Sequence, residues 1–438
     1  MHTDRRDAAN ATVLQVLELL RSWERAATGT SVSGTFAPGS IDERIWSPLS
    51  LANGFTGVSL LFSEYAAVDR SYLPVAHAYF EQAKRYVTKQ DLNHPGLYHG
   101  IGSLALAVNS AHRAVGGYRS ALDSLDSAMR AGSGTILSGV TPGISSTFRT
   151  FDVISGLSGV GRYFLGRPST ENVESLRAIL DYLVALTGTT WADGTELPRW
   201  WVQHHPRAFT PDPKPRDGHG NFGLAHGISG PLTLLAAAHQ AGITVARQEE
   251  AIRSYSDTLL SWARRDEFGV FWPHIATFEE FTGGNPVRHA HRGRPSWCYG
   301  EPGVSYALML AGTTLGIEEY RAAARESVQG LLAAPLDDLG LSDSGICHGW
   351  AGLMHLLRKF EGLGIPQLSD AVDSLAGRII SQFDPSHPFG FQFSVLDPKV
   401  KVNSPGFLDG AAGVALALHS YARNDIPASA WETALLLA

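Results

Sequence analysis

The chain of 438 residues has only two cysteines, and both stand in the same setting. One lies in Ser296-Trp297-Cys298-Tyr299-Gly300-Glu301-Pro302-Gly303, the other in Cys347-His348-Gly349-Trp350-Ala351-Gly352. Each precedes a Gly-x-x-Gly step by two residues, and an apolar run follows each step. Thiolate sulfur and imidazole nitrogen are the soft donors that zinc prefers. Cys298, Cys347 and His348 therefore form a candidate ligand set for one zinc ion per chain. Three protein ligands leave one tetrahedral position open, the mark of a catalytic zinc, whereas a fourth would close the site and make it structural. His226 is the candidate for that fourth place. A disulfide closing a loop of roughly 50 residues is a further option, disfavoured in a reducing compartment, as is a pair of inert buried thiols. Neither explains why both cysteines occupy equivalent positions.

The equivalence extends along the whole chain. Seven glycine steps occur, beginning at Gly54, Gly100, Gly156, Gly227, Gly300, Gly349 and Gly410. The second is degenerate, with Ser103 in place of the closing glycine. Their first glycines are 46, 56, 71, 73, 49 and 61 residues apart, room each time for two helices and their connections. After each step comes an apolar segment such as Val304-Ser-Tyr-Ala-Leu-Met-Leu310; between steps lie amphipathic segments such as Arg247 to Trp262. Repeats of this period build solenoids or closed arrays of supersecondary units. The expectation is an all-α fold, an α/α toroid of seven helical hairpins forming a single domain over 1–438. An open helical solenoid is the alternative.

Equivalent positions in such an array present side chains at the same end. The residues just before the steps are Asn53, His99, Ser155, His226, Tyr299, His348 and Asp409, all polar. For Asn53, Ser155 and Asp409 helix capping is the simple reading. It serves the three histidines and the tyrosine poorly, because these are mediocre caps.

Composition narrows the function. A net charge of −7 and a pI near 6.2 lack the basic footprint of a nucleic-acid binder. The stretch from Val13 to Leu20 is interrupted by polar residues, which reads as amphipathic helix rather than a signal peptide. No apolar run approaches the roughly 20 residues a bilayer demands. Two cysteines without a secretion signal point to a cytoplasmic protein.

Three motifs together carry a family resemblance. Asn221-Phe-Gly-Leu-Ala-His226-Gly-Ile-Ser-Gly230, Trp297-Cys-Tyr-Gly-Glu-Pro-Gly303 and Cys347-His-Gly-Trp-Ala-Gly352 resemble, in this order, the signature of the lanthionine synthetase C-like family. These are zinc-dependent cyclases of lanthipeptide (lantibiotic) biosynthesis. The resemblance covers essentially the whole chain and implies the α/α toroid, zinc, and the ligand set Cys298, Cys347 and His348. It implies a stand-alone cyclase joining cysteine thiols of a precursor peptide to dehydroalanine or dehydrobutyrine as (methyl)lanthionine thioethers. Only the thiolate is a good nucleophile, and a free thiol has a pKa near 8.5. After its attack on the β-carbon, the enolate must be protonated.

His226, at the shared position before its step, is the expected proton donor, with orientation of a ligand as the alternative. By resemblance Asp152 is its carboxylate partner, or helps deprotonate the thiol. Tyr299 and Arg294 match family positions too, and the arginine would stabilise the enolate or a substrate carbonyl or carboxyl group. Two segments, 198–216 and 266–294, read as irregular insertions, the first with five prolines and both with aromatic residues. They suit peptide binding, lids or plain insertions. The dehydrated precursor peptide is the expected partner. A separate dehydratase is expected because no such region is present, and a peptide transporter would place the enzyme at the periphery of a membrane-associated complex. The rival readings are a non-catalytic glutathione- or peptide-binding relative, and a prenyltransferase-like zinc enzyme that alkylates thiols. The latter would want an Asp/Cys/His ligand set.

Overall fold

A computed structural model describes residues 2–33, 45–140, 147–192, 194–205, 216, 218–283, 292–394 and 400–438. Its helices are α1 (His2–Leu19), α2 (Trp23–Thr28), α3 (Phe55–Tyr65), α4 (Leu73–Lys84), α5 (Gly100–Val115), α6 (Arg119–Gly139), α7 (Leu157–Leu165) and α8 (Thr170–Ala185). They continue as α9 (Ser229–Gln240), α10 (Gln248–Ser261), α11 (Phe278–Gly283), α12 (Glu301–Leu315), α13 (Glu318–Ala333), α14 (Trp350–Arg358), α15 (Leu368–Ser381) and α16 (Ala411–Arg423). Every glycine step opens a helix: α3, α5, α7, α9, α12, α14 and α16 in turn. These helices are apolar around most of their surface; all eleven residues of α3 are buried. Those between them are amphipathic, as α10 shows, burying Ala251, Ile252, Tyr255 and Leu259 at helical spacing while Glu249 and Glu250 face water.

The steps have a steric cause. A Cβ on the closing glycine would collide with the carbonyl six residues earlier: 2.0 Å from Leu51 O at Gly57, 1.9 Å from Ile346 O at Gly352 and 1.8 Å from Phe407 O at Gly413. The chain enters each helix through a tight loop that folds back on its first turn, and only glycine leaves it room. The degenerate repeat obeys the same rule one residue out of phase. There α5 starts at Gly100 itself, Gly102 faces the Pro95 and Gly96 carbonyls, and Ser103 turns its hydroxyl onto Leu49 O at 3.1 Å. Capping differs from the sequence expectation. The N-cap residue is the first glycine in five repeats, so Asn53, Ser155 and Asp409 lie one residue outside it.

Two compact units emerge, and each has its own core. The first comprises 1–129, 340–361 and 366–438. Within it α3 packs on α4 and α5, α14 on α15, and α16 on α3, α14 and the N-terminal α1. The contact with α1 supplies α16 with its hairpin partner from the other end of the sequence. A stripe of fully buried Ala9, Val13, Val16, Leu17 and Leu20 makes it, as the amphipathic reading of this segment requires. Strands β1 (Ser31–Ser33), β8 (Phe393–Ser394) and β9 (Lys401–Asn403) form a small antiparallel sheet in the order β1-β9-β8.

The second unit comprises 130–339 and 362–365. Here α7 packs on α8, α9 on α7, α10 and α12, and α12 on α13. Of the segments expected to be irregular, 266–294 carries short strands and one short helix, and further short strands lie beside both segments. Hairpins β2 (Thr189–Ala192) with β3 (Thr195–Pro198) and β5 (Arg264–Asp266) with β6 (Gly269–Phe271) flank the pairing of β4 (His219–Asn221) with β7 (Ile275–Thr277). Four of the aromatic residues here are core: Trp200, Trp201, Phe271 and Trp272 are at most 3% exposed, whereas Trp191 of β2 is 72% exposed. Trp201 packs on Leu197, Phe278 and Phe281, and the Trp272 indole donates to Leu259 O at 2.8 Å. The buried rings therefore present no surface to a peptide. Residues 206–215 and 284–291, and with them all of the basic run 288–292 except Arg292, lie outside the described residues.

Candidate active site

His226 and Asp152 are 74 positions apart in sequence yet form one device within the second unit. Asp152 lies in the loop ahead of α7 and is completely buried. Its Oδ1 accepts from the backbone N–H of Ser155 at 2.8 Å and of Gly156 at 2.7 Å, so the turn into α7 fixes the carboxylate. Its Oδ2 lies 2.7 Å from Nδ1 of His226. A buried carboxylate that already accepts two backbone donors is acceptor-only, so Nδ1 of the imidazole carries the proton between them. That assignment leaves Nε2 as the working nitrogen. The ring is backed by Phe148, 4.7 Å away between centroids, and faces Tyr299 at 6.2 Å. With 28% of its side chain exposed, His226 is open to a substrate.

The loop from Arg292 to Gly300 carries Cys298, Tyr299 and Arg294 on one run of backbone. Arg292 anchors its start with 2.7 and 2.9 Å contacts to Asp266 at the end of β5 and a 3.0 Å bond to Glu301 in the first turn of α12. The guanidinium beside Asp266 holds that carboxyl below the usual carboxylate range, whereas burial pushes Glu301 up. At the other end Gly300 has φ near +100°, a conformation that side chains resist. Between these anchors Cys298 is buried, its carbonyl accepting from Ala225 N–H at 3.3 Å beside His226. The hydroxyl of Ser296 lies 3.5 Å from its sulfur. Arg294 is exposed.

In the first unit Cys347 and His348 sit immediately before α14. The Cys347 amide donates to Leu408 O at 3.0 Å, and Nε2 of His348 is 3.7 Å from Oδ1 of Asp409, the residue in the equivalent position before α16. Both cysteines are free thiols, which removes the disulfide reading. Among the described residues Cys298, Cys347 and His348 are the group that could hold a metal ion. Two uncrosslinked sulfurs and an imidazole that can turn neutral are the donor chemistry zinc takes.

A family model described as "Lanthionine synthetase C-like protein" matches residues 45–436. The chain belongs to this family. Among curated proteins, this family member is 25% identical over 398 residues to "Nisin biosynthesis protein NisC" of Lactococcus lactis subsp. lactis, covering 89% of each chain. Among solved structures it matches "Nisin cyclase" with a TM-score of 0.73 and 24% identity, over 90% of this chain and 94% of that one. That likeness shows the fold, the α/α toroid that the glycine steps predict. No helix among the described residues of this lanthionine synthetase C-like protein is long and apolar enough to cross a membrane.

Sequence reasoning missed several residues around His226. His204 and His219 are 3% and 1% exposed, and Phe148 lies against both. Burial lowers the pKa of His219 to about 4, and its Nδ1–H donates to His204 O at 3.0 Å. His204 and His219 therefore form a neutral, buried wall beside Phe148. No spacing in the sequence signals this, because Phe148, His204 and His219 come from separate parts of the chain.

Proposed function

We propose that this chain is a zinc-dependent lanthipeptide cyclase: it adds a cysteine thiol of a dehydrated precursor peptide across the double bond of dehydroalanine or dehydrobutyrine. The sulfur bonds to the β-carbon, the thiol proton ends on the α-carbon, and the product is a (methyl)lanthionine ring with no atom gained or lost. Family membership over nearly the whole chain supports the reading, and so does the likeness to a protein titled nisin cyclase. The observation that carries it is the hydrogen bond of 2.7 Å between a buried carboxylate and a partly exposed imidazole, because addition needs one proton moved in each direction.

Cys298, Cys347 and His348 would hold the zinc. Zinc bound there would lower the pKa of a thiol that reaches it and make the thiolate available at neutral pH. His226 accepts the thiol proton at Nε2 and returns it to the α-carbon; Asp152 stabilises the imidazolium in between and keeps the tautomer. The Tyr299 hydroxyl donates toward the carbonyl oxygen as enolate charge develops on it. Arg294, exposed, holds a substrate carbonyl or carboxylate. The chemistry requires the peptide itself and a separate dehydratase that supplies its dehydro residues; a peptide transporter, with this chain peripheral to its membrane-associated complex, is the further partner of this reading.

The test is ring formation in a peptide bearing one dehydroalanine and one cysteine. Cyclisation leaves the mass unchanged, so the product is read as protection from alkylation by N-ethylmaleimide. Protection that outpaces the uncatalysed reaction, and that is lost in Cys298→Ala and Cys347→Ala together with about one zinc per chain, supports the cyclase. A metal-free wild type would remove the zinc. Tight peptide binding without protection would turn the reading to a non-catalytic binder.

A further inference from the structure

We propose that Asn221 is a positioning residue that sets the direction of the Tyr299 hydroxyl. This rests on the cyclase reading for its catalytic consequence, though not for its geometry. Asn221 is 2% exposed and ends β4. Its backbone is held on both sides: it pairs with Ile275 of β7, and its carbonyl accepts from Ile228 N–H at 2.9 Å. The side chain is held too. Its Oδ1 accepts from Gly223 N–H at 3.1 Å, which identifies the oxygen and leaves Nδ2 as the group 3.1 Å from the Tyr299 hydroxyl. An amide nitrogen can only donate, so the phenol oxygen accepts there and its own proton must point elsewhere.

The ring is held as tightly as the hydroxyl. A Cβ on Gly223 would stand 2.6 Å from Cδ1 and 2.8 Å from Cε1 of Tyr299, so the absence of a side chain at 223 lets the ring lie flat on the turn. The His274 ring packs near the phenol ring, 5.2 Å between centroids, and His226 follows at 6.2 Å. Asn221 thus makes Tyr299 a hydrogen-bond donor in a fixed direction, beside the imidazole that moves the proton. The motif Asn221-Phe-Gly-Leu-Ala-His226 gains a physical reason: its asparagine aims one group of the site, its glycine seats it, and its histidine is the next.

The discriminating variant is Asn221→Asp. A carboxylate still accepts from Gly223 N–H, so the turn survives, but it draws the phenolic proton onto itself and reverses the hydrogen bond. The expected result is a fall in kcat of about tenfold, the size of one reoriented hydrogen bond. KM, zinc content and thermal stability should stay as in the wild type, and in a Tyr299→Phe background the substitution should cost nothing more. Asn221→Ser, whose short hydroxyl can cap Gly223 but cannot span to the phenol, should give the same loss and covers the case in which the aspartate variant fails to fold. A readout independent of activity is the fluorine resonance of 3-fluorotyrosine placed at 299, which should shift in both variants. Equal losses with and without the Tyr299 hydroxyl, wild-type kcat in Asn221→Asp, or an unmoved resonance would overturn the proposal. A wild-type enzyme that forms no ring would refute the cyclase reading instead, while the resonance still decides whether Asn221 holds the phenol.

Discussion

A histidine becomes an acid-base group through what holds its other nitrogen. Asp152 supplies that hold here, and its two carboxylate oxygens are divided between the turn into α7 and the ring of His226. Asp152→Asn keeps an oxygen for the backbone donors but turns an N–H toward Nδ1, which drives the imidazole to the opposite tautomer. The expected outcome is a folded, zinc-loaded protein whose kcat falls by about 10²–10⁴, checked by the alkylation-protection assay and by zinc analysis. His226→Asn should fall by a similar factor and also retain zinc; loss of zinc would instead place His226 among the ligands. Combining the two substitutions should cost little beyond either alone, because they disable one unit.

At the scale of elements the glycine steps decide where helices begin. A methyl group at 352 would meet the Ile346 carbonyl at 1.9 Å, and a backbone carbonyl cannot turn aside as a side chain would. Gly352→Ala should therefore lower stability in urea by about 1–3 kcal/mol, the range of overpacking. Ser103→Ala should be milder, because position 103 already bears a side chain and loses only the hydroxyl that is shared between Leu49 O and Gly100 O. These helices were legible in the sequence because each step joins a steric requirement to an apolar run. The strands were not. Three-residue segments such as His219–Asn221 hold their shape through partners more than 50 positions away, and no local pattern announces them. For the same reason the contact between Asn221 and Tyr299 was invisible, whereas the cysteines and His226 stood out by type and repeat position, and Asp152 by the family resemblance. The capping role given to residues one place before the glycines failed because the glycine is itself the cap.

For the whole molecule, pH reports on the cores. His219 in one unit and His419 in the other are 1% and 3% exposed, and burial first of all lowers the pKa of each to about 4. His419 also feels Arg423, which acts in the same direction, and its ring packs on Tyr65. In the unfolded chain these imidazoles titrate near their ordinary value of about 6.5. Above that value neither state binds the protons and the two histidines leave stability unchanged. As pH falls from about 6.5 toward 4 the unfolded chain takes up protons that the folded chain refuses, so stability drops, on the order of 3 kcal/mol for each group by the lower limit. Thermal unfolding followed by circular dichroism should show a melting temperature that is level from pH 8 to 7 and declines steadily below 6.5. His419→Gln carries no titratable ring, so its decline should be shallower by up to about 1.4 kcal/mol per pH unit, even if its stability at pH 8 is lower. An unchanged slope in that variant would mean that His419 finds a way to be charged in the folded core, and that the acid sensitivity lies with other carboxylates and imidazoles.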